Sequence, residues 1–477
     1  MNRALLESAA NRSIRYLDEL GERRVAPSAE AVDGLSQLDG DLPAGPSDAE
    51  AVLERLDRWG SPATVASAGG RYFGFVIGGS LPAALAANWL AGAWDQNAVM
   101  QATSPAGARI EEIAVRWLLD ILGLPPEAGA GLVDCDTQAI FCGLAAARHV
   151  LLSREGWDVE SQGLFGAPPI AVVVSEETHM TVHKCLGLLG LGRERVIRVP
   201  TDAQGRMKAD ALPRLAGPAI VCIQAGNVNT GSFDPAAEIC AAAHESGAWV
   251  HVDGAFGMWA AAAPARAHLT NGIAGADSWS LDAHKWLNVP YDSAVVVVRD
   301  AAHLRDTMAG SAAYLVDGGK REPFTYTPGL SRRARGVETW AALASLGRSG
   351  VADLVERTCR YAARFADGLR AAGYEVLNDV VLNQVLVSFG DDDATRRAIA
   401  GIQEDGTCWC GGTEWHGRAA MRISVSGWAT TEDDVARSLN AILRVAARTN
   451  GTARVAPASS SPSRTERSAA ANGPSTP

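Results

Sequence analysis

The sequence has no surplus of positive charge: its 477 residues carry a net charge of −11 at pH 7. A general nucleic-acid binder shows a basic patch or a high pI, so this balance argues against nucleic acid as a partner and against adhesion to anionic membranes. It also has no run of about 18 apolar residues, the length a membrane-spanning helix needs, and the Ala-rich stretch 259–263 is far too short. The first residues, Met1 to Glu22, lack the uninterrupted apolar core of a secretory signal. The expectation is a cytoplasmic protein. Cysteine is present but not clustered: eight residues are scattered along the chain, and only Cys408 and Cys410 stand close together. A zinc site there would need two further ligands, and only His416 lies near. Reduced thiols, no disulfide framework and no metal are expected. There are no internal repeats.

The rest is ordinary globular material, 47% hydrophobic and 20% charged, enough to bury a large core. Residues 1–68 read as an N-terminal helical segment broken by a Pro/Gly/Asp-rich stretch between Gly40 and Ser47. From about residue 105 strands and helices alternate. Apolar runs at Gly131–Val133, Ile170–Val174, Val196–Val199, Ala219–Gln224, Trp249–Asp253, Ser278–Leu281 and Ala294–Val298 read as strands. Helices are expected between them, at 137–154, 181–189, 209–215 and 235–246. This pattern predicts an α/β fold with a mainly parallel sheet covered on both faces. A large domain over 69–315 precedes a smaller α+β domain over 316–448, with a long helical region from Gly336 and a terminal helix capped by Thr430. Residues 449–477, rich in Ala, Ser, Pro and Arg, are expected to be disordered.

Ligands of such sheets bind at the carboxyl ends of the strands, and the polar residues of interest fall there. Lys285 lies in Ser280-Leu-Asp-Ala-His-Lys-Trp286. A lysine in an apolar stretch is either a snorkelling side chain or a nucleophile for Schiff-base chemistry. Asp253 closes the run His251-Val-Asp-Gly-Ala255. It is either a turn cap or a carboxylate for a protonated pyridine nitrogen, with Gly254 and Ala255 leaving room for a flat ring. His179 follows another strand and is either a helix cap or a ring that stacks on such a cofactor. Asn227 and Asn229 follow a third strand, as turn residues or as donors to the ring oxygen or a substrate carboxylate.

Together, in this order, these residues resemble the group II pyridoxal-phosphate decarboxylases, the family of aromatic-amino-acid and glutamate decarboxylases. The resemblance runs from about Arg71 to Ala447. It also covers Ser104-Pro105-Ala106 and Ser331 to Gly336. It implies a fold-type I transferase architecture and pyridoxal 5'-phosphate bound to Lys285 as a Schiff base. It further implies Asp253 on the pyridine nitrogen, His179 and Ala255 on the two ring faces, and His284 and Thr137 at the phosphate. Phe73 and Phe75 match a pocket-lining region. Residues 312–330 match a mobile loop that reaches across a homodimer with shared active sites. A loop Tyr serves in the family as proton donor, and Tyr326 is the candidate here, with Phe324 or Tyr314 as alternatives of register. The implied reaction is decarboxylation of an L-amino acid to an amine and carbon dioxide. Aldehyde-forming decarboxylases, lyases and aminotransferases are close alternatives.

One segment departs from the family. Its Gly-containing phosphate turn is replaced by Asp134-Cys135-Asp136 before Thr137. A carboxylate ~4 Å from a phosphate charge costs on the order of 4 kcal/mol at an effective dielectric constant near 20. Either the carboxylates turn away, with Asp136 as a helix N-cap, or the chain is a non-catalytic relative acting through protein partners. Arg335 and Arg71 could hold a substrate carboxylate or serve in structural ion pairs.

Overall fold

The computed structural model describes residues 3–310 and 320–453. The larger sheet comprises β1 (Gly129–Val133), β2 (Ala171–Ser175), β3 (Val196–Val199), β4 (Ala219–Gln224), β5 (Trp249–Asp253), β6 (Ser278–Asp282) and β7 (Ala294–Val298). Their order is β1-β7-β6-β5-β4-β2-β3. The pairs from β3 through β6 are parallel, and β7 runs antiparallel to both β6 and β1. The central strands are rich in apolar residues because both faces are covered: every residue of β4, β5, β6 and β7 is buried, whereas the edge strand β3 is partly exposed.

Register places the chemistry. Gln224 pairs with Asp253 across β4 and β5, and Asp253 pairs with Ser280 across β5 and β6. Three neighbouring strands thus end in one polar row after apolar runs. The helix Asp136–Arg154 lies over this part of the sheet. It comes close because it is built of small residues: a Cβ added to Gly143 would stand 2.9 Å from the His251 ring.

A second sheet comprises β8 (Glu375–Val376), β9 (Gln384–Ser388), β10 (Gly411–Trp415) and β11 (Arg418–Ser424), ordered β10-β11-β9-β8 and antiparallel throughout. Its core includes Phe365, Phe389 and Ile442. The long helix Gly336–Ala371 leaves helical geometry at Gly347, where φ is 59°. Before and just after that break it packs Leu343 and Val351 into the large-sheet core, and further on Phe365 and Leu369 into the small one. At the other end of the chain, the helices Arg3–Glu19 and Ala49–Ala63 bury no residue. Arg12 and Arg15 both reach Asp57 across that pair.

Local expectations fail in instructive places. The helix expected over 209–215 is only the 3-10 turn Ala209–Ala211, since Pro213 cannot continue it. The terminal helix, Glu432–Ala453, extends past the expected end at Ala447. It is capped by Thr431 rather than Thr430: Thr431 Oγ1 accepts from the Asp434 N–H, and Asp434 Oδ2 accepts from the Thr431 N–H. Thr430 instead donates its hydroxyl to the Gly70 carbonyl. Cys408 and Cys410, expected on a strand, precede β10 and lie buried in the small core, and only Trp409 between them makes a bridge, to Tyr72. Of residues 449–477, expected to be disordered, 449–453 are the last residues of the terminal helix, and 454–477 lie outside the described residues. No helix among the described residues is long and apolar enough to cross a membrane.

Candidate active site

At the polar strand ends lies a cavity of about 140 Å³ whose walls include Asp136, Thr137, His179, Asp253, Ala255 and Lys285. A larger hollow of about 490 Å³ among the N-terminal helices, near Arg12 and Tyr16, holds no lysine and offers no seat for Schiff-base chemistry.

Asp253 enters the cavity because β5 ends there. Its carbonyl accepts from the Ala225 N–H at 2.8 Å, and the following Gly254 N–H donates to the Ser280 carbonyl. Lys285 comes from the turn after β6. Its backbone is gripped closely: a Cβ on Gly78 would fall 1.9 Å from the Lys285 carbonyl oxygen. Its side chain opens into the cavity, with Nζ 3.0 Å from Asp282 Oδ2. Burial lowers the Lys285 pKa, but Asp282, Asp136 and Asp253 outweigh it and hold the ammonium above the ordinary lysine value.

His179 caps the helix Met180–Leu188. Its Nδ1 accepts from the Thr181 N–H at 3.4 Å and lies 2.7 Å from the Thr181 hydroxyl. With Nδ1 accepting, a neutral ring carries its proton on Nε2. Burial lowers the His179 pKa; Lys285 and Arg422 add to that against Asp253.

The acidic turn divides. Asp134 folds back on its own chain, accepting from the Cys135 N–H at 2.8 Å. Asp136 is not the N-cap expected of it: Cys135 holds that position, and Asp136 is the first helical residue. Its N–H donates to Asp282 Oδ1 at 2.8 Å. Its carboxyl is buried, and Oδ1 has no hydrogen-bond partner. Burial, then Asp253 and Asp282, push this carboxyl well above the ordinary carboxylate range.

Other expected residues are not gathered in. Asn227 Oδ1 accepts from the Asn229 and Thr230 N–H groups, a turn-forming role. Asn229 Oδ1 accepts from the Thr413 hydroxyl. His284 turns to the Ser293 N–H, Asp282 and the Tyr291 ring, 4.3 Å away. Neither asparagine nor His284 lines the cavity. Tyr326 packs on Gly129 of β1 and under Arg321, 4.5 Å from the ring centre, and does not line the cavity. Phe324 packs with Val99 and Met100, and Tyr314 lies outside the described residues. Arg71 bonds the Thr407, Gly21 and Arg23 carbonyls, and Arg335 pairs with Asp292 at 2.7 Å. Both have structural partners. Phe73 is fully buried, whereas Phe75 is 60% exposed and tilts against Trp409 at 5.4 Å.

Three residues near the cavity were not singled out from sequence. Asp282 was passed over inside the lysine segment. Tyr291 lies over His284. Arg422, on β11, bonds the Val228 carbonyl at 3.1 Å and, among the described residues, makes no ion pair. Burial lowers its pKa to about 10. A strand position in a distant sheet carries no local signal of such a role.

The residues present fit pyridoxal phosphate. A lysine, a buried carboxylate and a neutral histidine converge on one cavity. At the helix end, where anions bind, Asp136 lines the cavity with a buried Oδ1 that has no hydrogen-bond partner. Buried polar atoms in that condition are uncommon and mark a place for a polar group.

Comparison with known proteins agrees. The pyridoxal-dependent decarboxylase conserved domain matches residues 34–390. Tryptophan decarboxylase 1 of Oryza sativa subsp. japonica is 26% identical over 426 residues, covering 80% of each chain. The aromatic-L-amino-acid decarboxylase of Bacillus atrophaeus is 24% identical over 444 residues, covering 87% of this chain and 90% of that protein. The crystal structure of Oryza sativa TDC with PLP and tryptamine superposes with a TM-score of 0.86 at 23% identity, covering 94% of this chain and 97% of that one.

Proposed function

The chain belongs to the pyridoxal-dependent decarboxylase family, and on that premise we propose that Lys285 carries the cofactor, that Asp253 holds its pyridine nitrogen, and that the substrate is an aromatic L-amino acid. The protein is a pyridoxal-phosphate-dependent decarboxylase. The observation that carries the residue roles is the convergence of Lys285, Asp253 and His179 on one cavity.

When bound, the cofactor supplies an electron sink for the pair released as the substrate's carboxylate leaves. The chain does the rest. Lys285 Nζ must lose a proton before it can bond a carbonyl carbon, and Asp282, 3.0 Å away, is placed to hold that proton. Asp253 would hold the pyridine nitrogen and keep a positive charge there. His179, neutral and fixed by Thr181, offers a flat face without a competing charge. Arg422 offers a guanidinium for a substrate carboxylate.

Two further expectations belong here. A homodimer with shared sites would cover apolar side chains left open on the N-terminal helices, among them Leu6, Ile14, Leu17 and Leu56, each at least 38% exposed. A cytoplasmic location suits eight cysteines that are all free thiols.

The test is the visible spectrum of the purified protein with added pyridoxal phosphate, before and after borohydride, beside Lys285→Ala. A borohydride-sensitive band and a pyridoxyl mass on the Lys285 peptide are expected, followed by carbon dioxide release from tryptophan, tyrosine or phenylalanine. A well-folded protein that gives no band at saturating cofactor would sink the assignment. Release from acidic amino acids alone would sink the substrate class.

A further inference from the structure

Asp136, Asp253 and Asp282 surround the single ammonium of Lys285. That ammonium is engaged at 3.0 Å by Asp282. Asp282 is served further by the Asp136 N–H and lies 3.4 Å from His284 Nε2. Asp253 is reserved for the ring nitrogen in the function proposed above. Asp136 is therefore the carboxyl without a cation of its own. It is 6% exposed, stands at the start of the helix Asp136–Arg154, lines the cavity, and leaves Oδ1 without a partner. Ser280, fully buried on β6, stands behind it and does not line the cavity; its hydroxyl opposes the rise in the Asp136 pKa.

The surroundings explain which form of the carboxyl the site accommodates. Facing Asp136 are Asp253 from β5, Asp282 from β6, and Lys285 from the turn after it. Cys185, from the helix Met180–Leu188, is near enough to respond to its charge. Two of these are carboxylates, one is a shared ammonium, and the thiol is neutral. A third full negative charge has no counter-ion there, whereas a carboxylic acid has a proton to give and an acceptor to find. A phosphate oxygen at the helix N-terminus is such an acceptor, as in sites where a buried carboxylic acid stays neutral in order to donate.

We propose that Asp136 is a cofactor-binding residue that donates its carboxyl O–H to a phosphate oxygen of pyridoxal phosphate, so that the phosphate is held only while Asp136 is protonated. This rests on the proposed cofactor site. It makes retention of the cofactor, rather than the chemical step, sensitive to alkali. The phosphate-to-carboxyl contact replaces part of the backbone cradle that glycines would otherwise form.

The experiment measures equilibrium dissociation constants on full-length protein between pH 6 and 9, by tryptophan fluorescence quenching. The ligands are pyridoxal phosphate and pyridoxal, the proteins wild type, Asp136→Asn and Asp136→Ser. Folding of each variant is checked by thermal melting. Ionisation of the ligand's phosphate and of Lys285 affects all three proteins, so the comparison isolates Asp136. For pyridoxal phosphate the wild-type constant is expected to weaken with pH more steeply than either variant's, by up to about tenfold per unit above the Asp136 titration. For pyridoxal, which lacks the phosphate, the three profiles are expected to run parallel. Parallel profiles for pyridoxal phosphate as well would overturn the role of Asp136 while leaving the cofactor site standing. An equal extra slope with pyridoxal would also overturn it, since the phosphate would then not be the partner. No binding of either ligand to wild type at any pH would remove the cofactor site itself, and this role with it.

Discussion

Lys285 Nζ stands 3.0 Å from Asp282 Oδ2, and the other oxygen of Asp282 accepts the Asp136 N–H at 2.8 Å. One carboxylate therefore ties the lysine to the N-terminus of the helix Asp136–Arg154. Asp282→Asn keeps the shape and removes the charge. Burial then acts on Lys285 with less opposition, so its pKa falls and the neutral amine becomes more abundant near neutrality. The pH at which pyridoxal phosphate is half-captured, followed by borohydride trapping, is expected to move down. A midpoint unmoved by the substitution would show that Asp282 does not set the charge of Lys285.

Asp253→Asn removes the charge proposed for the ring nitrogen. Two unit charges about 4 Å apart interact by roughly 4 kcal/mol at an effective dielectric constant near 20. That corresponds to about three decades in rate. Steady-state carbon dioxide release is expected to fall on the order of 1,000-fold in kcat/KM, with the protein still folded. A drop of under about tenfold would mean that the nitrogen is held by something else.

Arg422→Met tests the substrate carboxylate. A hydrogen bond to a charged partner is worth about 1.5–3 kcal/mol, roughly 10- to 100-fold in affinity. KM is expected to rise by that factor with kcat changed less. If KM stays put and only the melting temperature drops, Arg422 serves packing alone, through the Val228 carbonyl and Asn229 Oδ1.

His251 supplies a pH dependence of stability. It is fully buried on β5, its Nε2 has no hydrogen-bond partner, and burial lowers its pKa to about 3. The unfolded chain takes up a proton near 6.5, the native protein only near 3. Its folded pKa is depressed, so the stability associated with a neutral His251 is complete above 6.5 and is lost as pH falls toward 3. The full loss is about 5 kcal/mol. Urea midpoints of wild type are expected to fall more steeply through this window than those of His251→Gln. Equal slopes would mean that His251 is protonated in the native protein.

Lys285, Asp253 and His179 were legible because each follows an apolar run, and in a parallel sheet covered on both faces every strand end opens on the same edge. The seven large-sheet strands were legible for a related reason: burial on both faces leaves continuous apolar segments. The antiparallel course of β7 was not, since an antiparallel strand buried on both faces has the same composition as a parallel one. Asn227 was seen at its position after β4; its oxygen accepts from the backbone of its own turn, while its buried Nδ2 has no hydrogen-bond partner.

By itself the sequence determined the alternation of strand and helix, the order in which polar residues arrive at the strand ends, and the residue types available there. Those are properties of spacing and composition, and they survive without coordinates. Only the tertiary structure decided which way neighbouring side chains face and which distant ones meet. Asp134 and Asp136 are equivalent in composition, yet one folds onto its own backbone and the other lines the cavity with Lys285, because the helix begins between them. Arg422 comes 194 residues after Val228 and reaches its carbonyl through a separate sheet. Asp282 gains its importance from a helix N–H 146 residues earlier. Side-chain direction and long-range contact depend on how whole elements pack, and a local stretch of sequence does not encode that packing.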